Sequence, residues 1–240
     1  MEKHFELTDE TIEVAGNTLH RIRCTRDCKW AKTGDLGGFI EKEDNLSGDA
    51  WVSGNAWVSG TARVSGNARV SGNAWVAGNA QVAGNAQVAG NARVSGNAWV
   101  YDNAQVYDNA QVSGNARVAG NAWVSGNAWV SGTARVSGNA WVYDNAQVSG
   151  NAWVSGDAQV CGDARIDCIK AHCGFDVFGS CGRHTHAYIT AENKIEITCG
   201  CFRGSIEEFE AKVRKTHGDN QYAHEYLAII YLIKIKFGLV

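Results

Sequence analysis

From Asn45 to Ala164 the chain repeats one six-residue unit twenty times without an insertion. The unit reads Trp-Val-Ser-Gly-Asn-Ala, as at Trp51–Ala56, with small variations. Internal periodicity of this kind decides architecture before any local propensity does. Within each unit, Ala-x-Val alternates with period two. Ala56 and Val58 therefore share one side of a strand and Trp57 takes the other. Ser-Gly-Asn then turns the chain, because Gly and Asn tolerate positive φ. Three strands and three corners close a coil of eighteen residues, and twenty units make a little under seven coils. With strands stacked about 4.8 Å apart, the expected object is a prism roughly 30 Å long. Its narrow interior is filled by Val and Ala at crystal-like density. Its two end coils are open edges that need covers.

The residue between Ala and Val points outward. One face carries Trp51, Arg69, Gln87, Gln105, Trp123, Trp141 and Gln159 (face 1). A second carries Trp57, Trp75, Arg93, Gln111, Trp129, Gln147 and Arg165 (face 2). The third carries Arg63, Gln81, Trp99, Arg117, Arg135 and Trp153 (face 3). Eight of the nine Trp residues thus lie outside the prism. Exposed apolar area of that size marks an interface, and the simplest closed assembly is a homotrimer. Flat aromatics beside Arg and Gln also suit stacking on rings and gripping phosphates. Three units replace Ser-Gly by Tyr-Asp, at Tyr101-Asp102, Tyr107-Asp108 and Tyr143-Asp144. They concentrate aromatic groups in the middle and later coils. The expected ligand site is therefore a cleft near Trp99, Tyr101, Arg117, Trp123, Arg135, Trp141 and Tyr143.

This repeat resembles the hexapeptide family, through the aliphatic residue every six positions and the small residue two before it. The resemblance covers residues 45–166. It implies a left-handed parallel β-helix, commonly trimeric. Leu36-Gly37-Gly38-Phe39-Ile40-Glu41-Lys42-Glu43 before the repeats is similar to hexapeptide-repeat proteins of bacteriophages and prophages. So are Cys199-Gly200-Cys201-Phe202-Arg203-Gly204 and Thr216-His217-Gly218-Asp219-Asn220 after them. That likeness implies a phage-associated protein of the bacterial cytoplasm.

The fold expected is mainly β. An N-terminal cap over 1–44 leads to the β-helix over 45–166, and a small α+β domain follows over 167–240. In the cap, Phe5 to Leu7 and Thr18 to Cys24 look like strands, and the Gly-rich stretch 34–40 reads as a tight turn closing the prism. In the last segment, Thr185 to Thr190 and Lys194 to Thr198 read as a hairpin. Ser205-Ile206-Glu207-Glu208 is a capping box that starts a helix ending near Gly218. A second helix runs from about Asn220 to Lys236, and its apolar residues nearly encircle it, so it should be buried.

A net charge of only −3 gives no field for duplex nucleic acid or an anionic membrane surface. The first residues lack a signal-peptide pattern. The eight cysteines then read as reduced thiols in a cytoplasm. Cys168, Cys173, Cys181, Cys199 and Cys201 lie among His172, His184 and His186, but without the paired C-x2-C spacing of zinc sites. They read as small buried hydrophobes, and Cys161 as an incidental change at an outward corner. No metal or cofactor is expected.

Hexapeptide-like acyltransferases use coenzyme A and a His on a loop extruded from the helix to deprotonate the acceptor. Here no loop is extruded, and all seven His residues (4, 20, 172, 184, 186, 217 and 224) lie outside the repeats. The expectation is a non-enzymatic phage-associated protein that sequesters a small nucleotide-type signal of host antiviral defence in clefts of the β-helix trimer. A structural or assembly protein without a small ligand is the alternative, and an acyl-CoA-dependent transferase the second.

Overall fold

The computed structural model describes residues 3–240. Strands β1 (Phe5–Val14) and β2 (Asn17–Cys24) form an antiparallel hairpin, and β3 (Leu36–Ile40) follows. Twenty two-residue strands, β4 to β23, run from Trp51–Val52 to Arg165–Ile166. They stack in parallel as three sheets whose members are eighteen residues apart, so Trp99 pairs with Arg117 and Val100 with Val118. The three faces are those that the eighteen-residue coil predicts. The Val of each strand, Ile166 in the last, is buried, and so is the Ala before each strand. At the corners the backbone N–H of Ala56 donates to Ser53 O at 3.4 Å, and Gly54 takes a φ of 67°.

The first coil begins earlier than the repeats. The stretch expected to be a capping turn is instead a strand: Phe39 and Ile40 pair in parallel with Trp57 and Val58. Its glycines permit this by close approach. A Cβ at Gly37 would lie 2.7 Å from Val52 O, and one at Gly38 would run into the Ala56 carbonyl. The β1–β2 hairpin continues this sheet and covers its edge. Both strands are longer than the sequence predicts, because pairing recruits the polar residues around the turn at Ala15-Gly16.

The C-terminal domain opens with β24 (His172–Phe178), which the sequence reading omits. It pairs with β25 (Arg183–Ile189), then β26 (Ile195–Cys199) and β27 (Phe202–Gly204) in an antiparallel sheet. The expected hairpin is its centre, with Asn193 at a φ of 58° in the connection. Helix α1 (Ile206–His217) starts on the predicted capping box, with Glu208 N–H donating to Ser205 Oγ at 3.2 Å. Helix α2 (Gln221–Lys236) is capped by Asn220 and buries Ala223, Tyr226, Ile229, Ile230 and Ile233. Its far side is not buried as expected: Tyr231, Leu232 and Ile235 are exposed, because the sheet and α1 cover one flank only. No helix among the described residues is long and apolar enough to cross a membrane.

The Tyr-Asp units keep the corner geometry at a cost. Asp102, Asp108 and Asp144 stand where other units have Gly, with φ of 60°, 57° and 59°. Each carboxylate Oδ2 accepts the N–H of the Gly one coil on, from Gly120 at 3.2 Å, Gly126 at 3.1 Å and Gly162 at 3.1 Å. An inter-coil bond thus offsets the strain of positive φ. Asp108→Ala keeps the strain and loses the bond, and should cost about 1–2 kcal/mol. Asp108→Gly loses both and should be within about 0.5 kcal/mol of wild type. Urea denaturation followed by Trp fluorescence separates the two, and equal losses would disprove this role for the carboxylate.

Candidate ligand-binding faces of the prism

Stacking divides the seven predicted site residues. Trp99, Arg117 and Arg135 form consecutive rungs of face 3, and Tyr101 stands at the corner after it. Trp123 and Trp141 are adjacent rungs of face 1, with Tyr143 at the next corner. The first group lines two shallow grooves that share Tyr101. One, of about 310 Å³, is formed by Gln81, Ala83, Gly84, Trp99, Tyr101 and Asp102. The other, of about 170 Å³, lies against Arg117, Ala119, Arg135, Ser137 and Trp153. Trp153 completes this face and was absent from the predicted site, although the eighteen-residue period already aligns it with Arg135.

The second group packs more closely. Trp123 and Trp141 have ring centroids 5.3 Å apart, and Tyr107 meets Trp123 edge-on at 5.7 Å. Tyr107 Oη donates to Gln87 Oε1 at 3.1 Å. Tyr143 is half-buried beside Cys161, and burial raises its pKa. These rings pack against one another.

Not every outward Trp is exposed. Trp51 is 2% exposed, close to the His4 ring. Trp57 and Trp75 stack with rings parallel, 5.1 Å apart. Trp99, Trp123, Trp129, Trp141 and Trp153 are 37–54% exposed, so open aromatic surface belongs to the later coils. A cavity of about 680 Å³ lies at the other end among residues such as Lys3, Arg26, Glu43 and Asp49. Two ion pairs lie within it: Lys3 with Glu43, and Arg26 with Asp49 at 3.7 Å.

The prism's last coil is sealed by the C-terminal domain, and here Cys161 is not incidental. It is buried, with its thiol 3.4 Å from Tyr188 Oη. Tyr188 donates to Glu196 Oε1 at 2.7 Å, and Arg203 holds the same carboxylate at 2.7 Å. Beside this, His186 Nδ1 lies 3.3 Å from Gln159 O and His186 Nε2 lies 2.9 Å from His172 Nδ1. His184 pairs with Asp176. Among the described residues, no three His, Cys, Asp or Glu side chains are grouped to hold a metal ion.

Five stretches of the prism, residues 62–78, 86–102, 110–126, 134–148 and 146–162, match the family described as the YdcK β-solenoid repeat. The prism is a repeat β-solenoid. All the matched stretches lie inside the solenoid. No curated protein matches the chain.

Two histidines at the seam between solenoid and C-terminal domain predict a loss of stability on acidification. Burial lowers the pKa of His186 from 6.5 to about 3, and burial also lowers that of His172. Both are therefore neutral when folded. As pH falls below 6.5 the unfolded chain takes up protons that the folded one refuses, so stability falls by up to about 1.4 kcal/mol per pH unit per residue. Denaturation between pH 7 and pH 4 should show the C-terminal domain loosening on acidification. His186→Gln should flatten that dependence, and an unchanged slope in the variant would rule the histidine out.

Proposed function

We propose that this protein is a non-enzymatic binding scaffold. Its solenoid assembles as a homotrimer and holds a small nucleotide-type ligand on its outward faces. The carrying observation is the run of exposed aromatic and guanidinium groups along the later coils, with grooves between them on face 3. Aromatic faces attract rings, and guanidinium groups attract phosphate. Tight holding needs no reactive group. No His, the base that hexapeptide acyltransferases use, lies between Asn45 and Ala164. This counts against the acyltransfer that the hexapeptide resemblance also suggests. The similarity of residues 36–43 and 199–204 to phage and prophage proteins supports a role in withholding a signalling nucleotide from bacterial antiviral defence, in the host cytoplasm.

A structural reading is favoured by a different observation: the Asn side chains of successive coils form continuous ladders that stiffen the rod. Two measurements separate these readings. Thermal melting across cyclic dinucleotides, ADP-ribose derivatives, nucleoside diphosphates and acyl-CoA should show stabilisation by a nucleotide without turnover. A ligand at a hundred times its Kd stabilises by about 2.7 kcal/mol. No shift with any nucleotide would leave the structural reading in place, and product formation from acyl-CoA would restore the enzymatic one. Light scattering should give three times the chain mass of 25.8 kDa, and a monomer would refute the trimer.

A further inference from the structure

We infer that one face of the solenoid, face 3, carries a complete bipartite site for a ring-bearing phosphate within a single chain. Arg117 and Arg135 hold the phosphate end and Trp99 with Tyr101 holds the ring. The inference rests on the binding reading above and assigns it to one face.

The argument starts from charge. Arg117 and Arg135 are direct neighbours in a parallel ladder. Elsewhere on the prism each outward Arg has Trp, Gln or no rung beside it. Like charges directly opposite destabilise a sheet, and strand spacing sets these two Cα atoms about 5 Å apart. Among the described residues neither Arg forms an ion pair. The chain is slightly acidic overall, so general basicity does not account for the pair. The pair is partly stabilised by Trp99, whose ring lies 5.4 Å from the Arg117 guanidinium. An oxyanion bridging both guanidinium groups would remove the remaining repulsion.

Shape agrees with charge. Trp153 Nε1 donates to Ser137 Oγ at 3.4 Å, which fixes its ring at the far end of the Arg pair. Tyr101 rises from a corner column whose neighbours are the small Ala83 and Ala119, and it forms a wall between the two grooves. Trp99 and Tyr101 meet edge-on with centroids 6.4 Å apart. On one side of Tyr101 lies an aromatic groove, and on the other a basic one. A planar base with a short phosphate arm spans the two, as a nucleoside diphosphate does. Trp123, Trp141 and Tyr143 are on the far side of a corner and take no part.

Titration calorimetry with ADP, adenosine and inorganic pyrophosphate tests this on the full chain. ADP should bind with an affinity that falls as salt rises, and each half should bind at least ten-fold more weakly. Arg117→Gln and Arg135→Gln should each weaken ADP at least ten-fold and flatten the salt dependence. Trp99→Leu should weaken adenosine and ADP but leave pyrophosphate unchanged. Trp141→Leu should bind ADP as wild type does. All four side chains point away from the core, and unchanged circular dichroism would confirm folding. If ADP binds the double Arg variant normally, this site is wrong and the wider binding function stands. If wild type binds neither ADP nor pyrophosphate, the site is likewise overturned. The binding function falls with it only if the wider nucleotide panel is also silent.

Discussion

Everything in the prism depends on one repeated constraint: each coil must place its backbone donors under the acceptors of the next. Asn97 N–H donates to Gly114 O at 2.7 Å and Trp99 N–H to Ala116 O at 2.9 Å, and the same offset recurs along the whole stack. A unit of any other length would break that register on all three faces. The corner carries most of the strictness. A Cβ at Gly120 would lie 3.0 Å from Gly138 O, so the column tolerates few side chains. Asp enters only where its carboxylate can take the next glycine's N–H. In the column that contains them, Asp108 and Asp144 are separated by Gly126, and Gly162 follows, so each carboxylate finds a free donor.

The Asn ladders follow from the same stacking. Asn73 Nδ2 donates to Asn91 Oδ1, Asn91 to Asn109, Asn109 to Asn127 and Asn127 to Asn145, all in one direction. The last acceptor is Asp163, at 3.2 Å from Asn145 Nδ2. The parallel ladder through Asn121 and Asn139 ends on Asp157 at 2.9 Å. A carboxylate accepts without donating, so it ends a polar chain of amides without leaving an N–H unpaired. The substitution of Asp for Asn in the final units is thus a chemical terminus, placed where stacking stops. Exposed hydrogen bonds contribute little singly, but these run the length of the rod and oppose its bending.

The solenoid was legible because its period is redundant: twenty copies vote for one register, and the outward ladders follow by counting in eighteens. The ends carry no such redundancy. Leu36–Ile40 has no hexad signature, and its place in the first coil depends on glycines whose neighbours are distant in sequence. Strand β24 carries Phe175, Val177 and Phe178, but Gly174 and Asp176 interrupt the run, and pairing with β25 is what extends it. Cys161 sits at a hexad corner, and only the docked C-terminal domain buries it against Tyr188. For the site, the sequence contained both Arg117 and Trp153 but grouped residues by proximity along the chain. Trp123 and Trp141 entered that group although a corner separates them from Arg117, and Trp153 was left out although one rung separates it from Arg135.

This distinction bears on how such a molecule can bind anything. A globular pocket gathers residues from remote segments and often moves to close over its ligand. A solenoid face cannot close, because each rung is fixed by the rungs on either side. Whatever it recognises must match a ladder whose spacing the backbone has already set, and the affinity gained is not spent on ordering the site. The side chains are therefore the free variables. Placing two guanidinium groups on consecutive rungs raises the energy of the empty protein, and the hexad offers Gln at the same position without that cost. Arg117 beside Arg135 is a point on the prism where the repeat departs from what its own stability asks.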